Sequence, residues 1–361
     1  MTNACRCAIL LLLWSPVAFA DDAETVVAEA TYTGEIWRQF SGGLENGERY
    51  LDNLDLTLEA NGAGLFGLEG LRFFGYVLYN NGHVLCEELS GSAQCLSNIE
   101  ATRAVRLYEL WSEWQLGAEG QSVRFGLYDL NSEFDSIETA GLFINPSHGI
   151  GPDLSQTGEY GPSIFPETGL GVRAMESLGA WTVQVAAVQP VASGTLLVGE
   201  VNFRAESGLR LGGGYWQYAR DDNSGAYLIA ESPAFIADAE DRGLRFFVRA
   251  GRAQPDLNPV ATYLGAGAVY SLLSSTEREH QIGLAVANAR LGSPYLREQR
   301  EAGVDAVPNE RNYELSYRIV VAQWLALQSD LQYVRHPGMV QSADSGWAMA
   351  LRFEIGSRWA R

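Results

Sequence analysis

The side chains in this 361-residue chain whose types could support chemistry are four histidines, four cysteines and many arginines and carboxylates. His83, His148, His280 and His336 show no pair at metal-ligand spacing, and Cys86 and Cys95 do not make a zinc motif. No metal and no cofactor is therefore expected. Ser147 and His148 set a hydroxyl beside an imidazole, but a hydrolase needs nucleophile, base and orienting group within reach in space. Adjacency along the chain does not supply that. Gly212, Gly213 and Gly214 sit inside a strand-like run with no helix after it. Glycine there marks close packing or a bend rather than a phosphate loop.

The charged residues follow a pattern instead. Arg72, Arg124, Arg204, Arg245, Arg249, Arg318 and Arg352 alternate with apolar neighbours, as do Asp55, Glu59, Glu109, Glu113, Glu314, Asp330 and Glu354. Leu54, Leu56 and Leu58 interleave with Asp55, Thr57 and Glu59. Leu244, Phe246 and Val248 interleave with Arg245 and Arg249. Tyr108, Leu110 and Trp114 are expected on one face, and Glu109, Trp111 and Glu113 on the other. A period of two means strands with one apolar and one polar face.

About sixteen such spans run from near residue 33 to near 359, an even count within the range of bacterial outer-membrane barrels. Their connections sort by length. Those at 61–67, 118–121, 177–180, 207–208 and 321–323 are short, whereas 80–104, 131–168 and 291–309 are long. Short turns at one end and long loops at the other is the barrel pattern, with both termini and the short turns periplasmic and 80–104 outside. Closure follows physically, because lipid leaves no partner for an unpaired backbone group. The fold expected is all-β: a transmembrane antiparallel barrel of about sixteen strands. Trp216, Tyr218, Tyr333, Trp347 and Trp359 are the expected girdle aromatics.

Residues 1–20 carry Arg6, an apolar run from Ala8 to Trp14 and Ala18-Phe19-Ala20, the layout of a cleavable export signal. The barrel domain is then 21–361. The formal net charge is -19 and every basic side chain is arginine. That acidity excludes nucleic acid as a partner, which needs a basic face. Export favours a disulfide between Cys86 and Cys95 that closes one loop.

Segment 131–168 is too long for an ordinary connection. It carries the apolar run Ala140-Gly141-Leu142-Phe143-Ile144, and later Ile164 and Phe165, which need cover. Folding into the lumen would provide it. Glu133, Asp135 and Asp153 would then oppose Arg72, Arg124 and other wall arginines across a narrow aperture. Trp111 would offer a face for stacking. The constriction candidates are these residues with Glu109, Glu113, Arg204, Arg245, Arg249 and Arg318.

Residues 50–59 (YLDNLDLTLE) resemble the carbohydrate-selective porin (OprB) family, as do 97–100 (SNIE), 106–111 (RLYELW) and 131–134 (NSEF). The densest similarity is at 141–146 (GLFINP), 149–152 (GIGP) and 161–166 (GPSIFP), and 327–338 (LQSDLQYVRHPG) resembles the penultimate strand and following loop. Ser329 stands where the family pattern has proline, and the sequence ends on Trp359-Ala360-Arg361 rather than on an aromatic. The resemblance implies a sixteen-stranded outer-membrane channel, trimeric in assembly, that passes small sugars by diffusion. The competing readings are an outer-membrane barrel enzyme of lipase type and an exported sugar-binding sandwich.

Overall fold

The computed structural model describes residues 25–117, 120–220, 222–236, 242–273 and 278–361. The expected export signal lies outside them. Sixteen strands close into one barrel in which each pairs with its sequence neighbours and β1 pairs with β16. They are β1 (Val26–Ser41), β2 (Gly47–Asn61), β3 (Leu71–Asn80), β4 (Ala104–Gln115), β5 (Ser122–Tyr128) and β6 (Gly169–Leu178). There follow β7 (Trp181–Gln189), β8 (Leu196–Arg204), β9 (Arg210–Tyr218), β10 (Ser224–Glu231) and β11 (Gly243–Ala253). The last are β12 (Val260–Leu273), β13 (Glu279–Leu291), β14 (Asn309–Ala322), β15 (Leu325–Arg335) and β16 (Gly346–Ala360). Closure removes every free edge, the condition for a sheet in hydrocarbon.

Alternation is legible in burial. On β14, Glu310, Asn312, Glu314, Ser316 and Arg318 are buried while Tyr313, Leu315 and Tyr317 are exposed. An outward band of Leu228, Leu284, Leu264, Val248 and Leu351 is left open, half or more exposed in most cases. Such a surface would be unfavourable in water and matches lipid.

The structure moves several expectations. β1 starts at Val26 and β2 at Gly47, each earlier than the alternating core shows. Trp216 and Tyr218 face the lumen and are buried, so they are not girdle residues. Trp114, Trp181, Trp324 and Trp359 are exposed near one end, and Tyr50, Tyr313 and Trp347 near the other. Tyr108 also turns inward. A bulge between Tyr76 and Val77 skips one residue of β4, so Tyr108 and Glu109 are both buried. An extra bulge residue breaks the strict period of two.

Candidate functional site

Two long connections from one end fold into the lumen, and the site is built where they meet the wall. Segment 129–168 contributes Phe134, Ile137, Leu142, Phe143, Leu154 and Ile164 to a cluster with the inward wall residues Trp216, Tyr227, Val188 and Phe247. The apolar run that needed cover finds it against the barrel interior.

Short hydrogen bonds fasten the segment along the wall. Asp135 N–H donates to Glu200 at 2.9 Å and Thr139 N–H to Glu231 at 2.7 Å. Ile144 and Asn145 N–H both donate to Glu314, at 2.5 and 3.1 Å. Gln328 donates to the Leu142 carbonyl at 2.6 Å, and Tyr263 to that of Ser147 at 2.7 Å. Wall carboxylates thus accept from a loop backbone that would otherwise hold unpaired N–H groups.

Two ionic clasps complete the attachment. Arg249, fully buried on β11, forks onto Asp135 at 2.6 and 3.0 Å and also bonds Asp153. Gly151 and Gly251 flank it closely, and a Cβ at either would overlap the guanidinium. In the second clasp Glu133 receives Arg173 at 2.6 and 2.8 Å and Arg124 at 3.3 Å, while Glu113 receives Arg124 at 2.6 Å and Arg173 at 3.0 Å. Burial alone would raise the Glu133 carboxyl, but Arg124 and Arg173 hold it below its ordinary value.

The acidic loop residues therefore do not face arginines across an open aperture; they touch them. Arg124 is brought to Glu133 as expected, whereas Arg72 stands opposite Glu113 in the strand register. Trp111 is not a free stacking face. Phe74 stacks on it at 4.9 Å, Arg124 lies 3.8 Å from its ring centroid, and only 4% of it is exposed. Glu109 accepts from Trp111 at 3.0 Å and from Asp129 N–H at 3.2 Å. Arg318 pairs with Glu354 at 2.9 Å. Arg204 is half exposed at the end of β8 and pairs with Glu138, and Arg245 is partly buried near the start of β11.

Segment 81–103, the other long connection at this end, also folds inward. Leu85, Leu89 and Leu96 are fully buried against Trp37, Leu51, Val334 and Ile144. Glu310 on β14 gathers Ala93 N–H at 2.8 Å, Gln94 N–H at 3.0 Å and the Ser92 hydroxyl at 2.7 Å. Glu35 accepts from Ser97 at 2.7 Å. The two segments join directly, Asn98 N–H donating to the Ile144 carbonyl and Asn145 to that of Cys95, both at 2.9 Å. Cys86 and Cys95 form the expected disulfide.

Glu35, Arg173, Glu200, Glu231 and Glu310 were missed as site residues. Each sits inward on a strand, a position visible by alternation, but no local signal marks which inward charge will meet a loop. Ser147 and His148 make no catalytic pair. His148 is fully buried, its Nε2 lies 3.7 Å from Glu314, neither ring nitrogen has a hydrogen-bond partner, and burial pushes it down to about 3, so it stays neutral.

The sequence matches the carbohydrate-selective porin, OprB family, over residues 45–231 and 216–356. The chain belongs to that family. It is 22% identical to Porin B of Pseudomonas aeruginosa over 90% of this chain and 86% of that protein. Among solved structures it resembles the high-pH structure of Pseudomonas putida OprB, with a TM-score of 0.81 and 18% identity, covering 92% of this chain and 94% of that one. The outer-membrane channel DcaP of Acinetobacter baumannii matches with a TM-score of 0.60 and 11% identity, covering 94% and 99%. This porin is an outer-membrane channel selective for carbohydrates.

Proposed function

We propose that sugars pass between the clasped inner segment and the wall formed by β2 and β3. The observation behind this reading is where water still reaches inward side chains. Arg249, Asp135, Asp153, Glu113 and Arg124 are sealed, whereas Asp55, Thr57, Arg72 and Tyr76 remain partly exposed on the inner face of β2 and β3. Tyr76 donates to Asp55 at 2.6 Å and Asn53 holds the same carboxylate at 3.0 Å, so this acceptor is oriented. Sugar hydroxyls donate to such a carboxylate and accept from an arginine fork, which replaces part of their lost hydration. Contacts of this kind release as readily as they bind, as conduction requires. Arg72, Arg204 and Arg245 all lie towards the short-turn end and give the exit a basic lining.

The same reading includes a homotrimer embedded in outer-membrane lipid, and no catalysis; the lipase-like alternative finds no support at Ser147 and His148. Liposome swelling with a panel of sugars of increasing size tests it. D55N and R72Q should reorder the rates among sugars while ion conductance changes little. Unaltered sugar ranking in correctly assembled D55N and R72Q variants would overturn this path.

A further inference from the structure

Arginines also stand where the barrel faces outward. Arg252 on β11, Arg290 on β13, Arg311 on β14 and Arg335 on β15 all lie on the lipid-side face at the long-loop end. The register links them. Arg252 is opposite Thr262, which is opposite Arg290, which is opposite Asn309. One step inward, Asn288 is opposite Arg311, which is opposite Arg335. Side chains paired in this way lie about 5 Å apart at Cβ, so the four guanidiniums form one belt interspersed with a hydroxyl and two amides.

None of the four is in an ion pair among the described residues. Arg311 donates to Asn288 at 3.0 Å, and the acidic residues of the adjoining connections, Asp256, Glu298, Glu301, Asp305 and Asp344, pair with none of them. This is unusual in a chain of net charge -19, whose lumen arginines are clasped by carboxylates. Outward Arg38 makes the contrast, since it pairs with Glu48 at 3.3 Å.

The depth of the belt is set by aromatics. Tyr313, Tyr333 and Trp347 form a register row with ring centroids 6.3 and 4.8 Å apart, and they face outward. Such rings sit at the boundary between hydrocarbon and headgroups. Arg311 and Arg335 are two residues further out on the same strands, about 7 Å by strand rise. That is headgroup level. Leu264, Leu284 and Leu315 continue the same wall below as exposed apolar surface for acyl chains.

We propose that this arginine belt binds the phosphates of a phosphorylated glycolipid of the outer leaflet. Planar guanidiniums match phosphate oxygens in forked geometry, and the apolar wall beneath supplies the contact that free phosphate lacks. Binding of a bis-phosphorylated lipid A to the purified porin tests the idea, with its dephosphorylated form, phosphatidylcholine and inorganic phosphate as comparison probes. The wild type should retain the bis-phosphorylated lipid, salt should weaken it, and millimolar inorganic phosphate should not displace it. The quadruple change R252Q/R290Q/R311Q/R335Q should lower retention about tenfold or more, with heat-modifiable migration and sugar permeation kept, and R38Q should change nothing. Should the quadruple variant not assemble, the pairs R252Q/R290Q and R311Q/R335Q carry the same test. Equal retention by the variants, equal binding of the dephosphorylated lipid, ready displacement by inorganic phosphate, or a change in oligomeric state alone would each overturn the proposal.

Discussion

Both inward segments lend backbone N–H groups to wall carboxylates, but one adds buried ion pairs and the other a disulfide. Segment 129–168 is locked by buried ion pairs, Arg249 with Asp135 and Asp153, and Arg124 and Arg173 with Glu133. Segment 81–103 has no such buried pair among the described residues. Its backbone and hydroxyl donors are collected by Glu310, Glu35 and Glu100, and a disulfide shortens it. Charge pairs sealed from water are costly to break singly. Carboxylates that collect backbone N–H groups spread the same burden over several weaker bonds. The first segment should therefore fail abruptly when one partner is removed, and the second by degrees.

The largest effect expected is at Arg249. R249A leaves Asp135 and Asp153 buried without a counter-charge, a loss of about 3–5 kcal/mol that falls on the stretch from Asp135 to Asp153. Segment 129–168 should come away from the wall while the barrel keeps its heat-modifiable migration. Planar-bilayer recording should show conductance rising and sugar selectivity falling, as it should on deletion of 141–161. Adding D135N and D153N to R249M should recover part of the closed conductance, because no charge is then left buried. Closed, selective channels from R249A alone would show that the clasp does not hold the constriction.

Acid should distinguish the two segments next. Burial lowers His148 to about 3 from 6.5. Its folded form declines a proton that the released segment accepts, so its contribution is complete above 6.5 and lost as pH falls toward 3. Glu133, held below its ordinary value by Arg124 and Arg173, acts in the same sense: its contribution is present above the ordinary carboxylate range and lost as pH falls through its lowered value. Protection factors at 141–151, corrected for the pH dependence of intrinsic amide exchange, should fall between pH 7 and pH 4, and H148F should blunt the change. Protection that is flat over this range in the wild type would remove His148 as a source of pH dependence.

The difference between the segments also explains what was legible beforehand. The strands were readable because alternation is a local property, which fails where the bulge at Tyr108 slips the phase. The inward path of 129–168 was readable because Leu142, Phe143 and Ile144 could not be left in water. Segment 81–103 carries Leu85, Leu89 and Leu96 too far apart to form a run, so nothing local announced its burial. Which carboxylate meets which donor was not readable at all. Glu310 contacts residues more than two hundred positions away, a pairing set by barrel closure rather than by any neighbour.

The smallest effect concerns the disulfide, and it bears on the gradual half of the comparison. Cys86 and Cys95 close a short loop, separated by 9 positions. The chain-entropy account gives such a closure about 2–3 kcal/mol. That contribution acts on segment 81–103 and not on the ladders of the barrel. Glu310 would still hold Ala93 and Gln94, and Asn145 would still reach the Cys95 carbonyl. The double change C86S/C95S should therefore leave barrel melting in detergent nearly unchanged. It should raise hydrogen exchange at 86–95 and add open-channel noise without a step in mean conductance. E310Q, which weakens the acceptor for the same donors, should add to this loosening in proportion rather than trigger full release. A stepwise opening of the channel by C86S/C95S alone would mean that the two segments fail in the same way, and the contrast between sealed ion pairs and distributed backbone bonds would not hold.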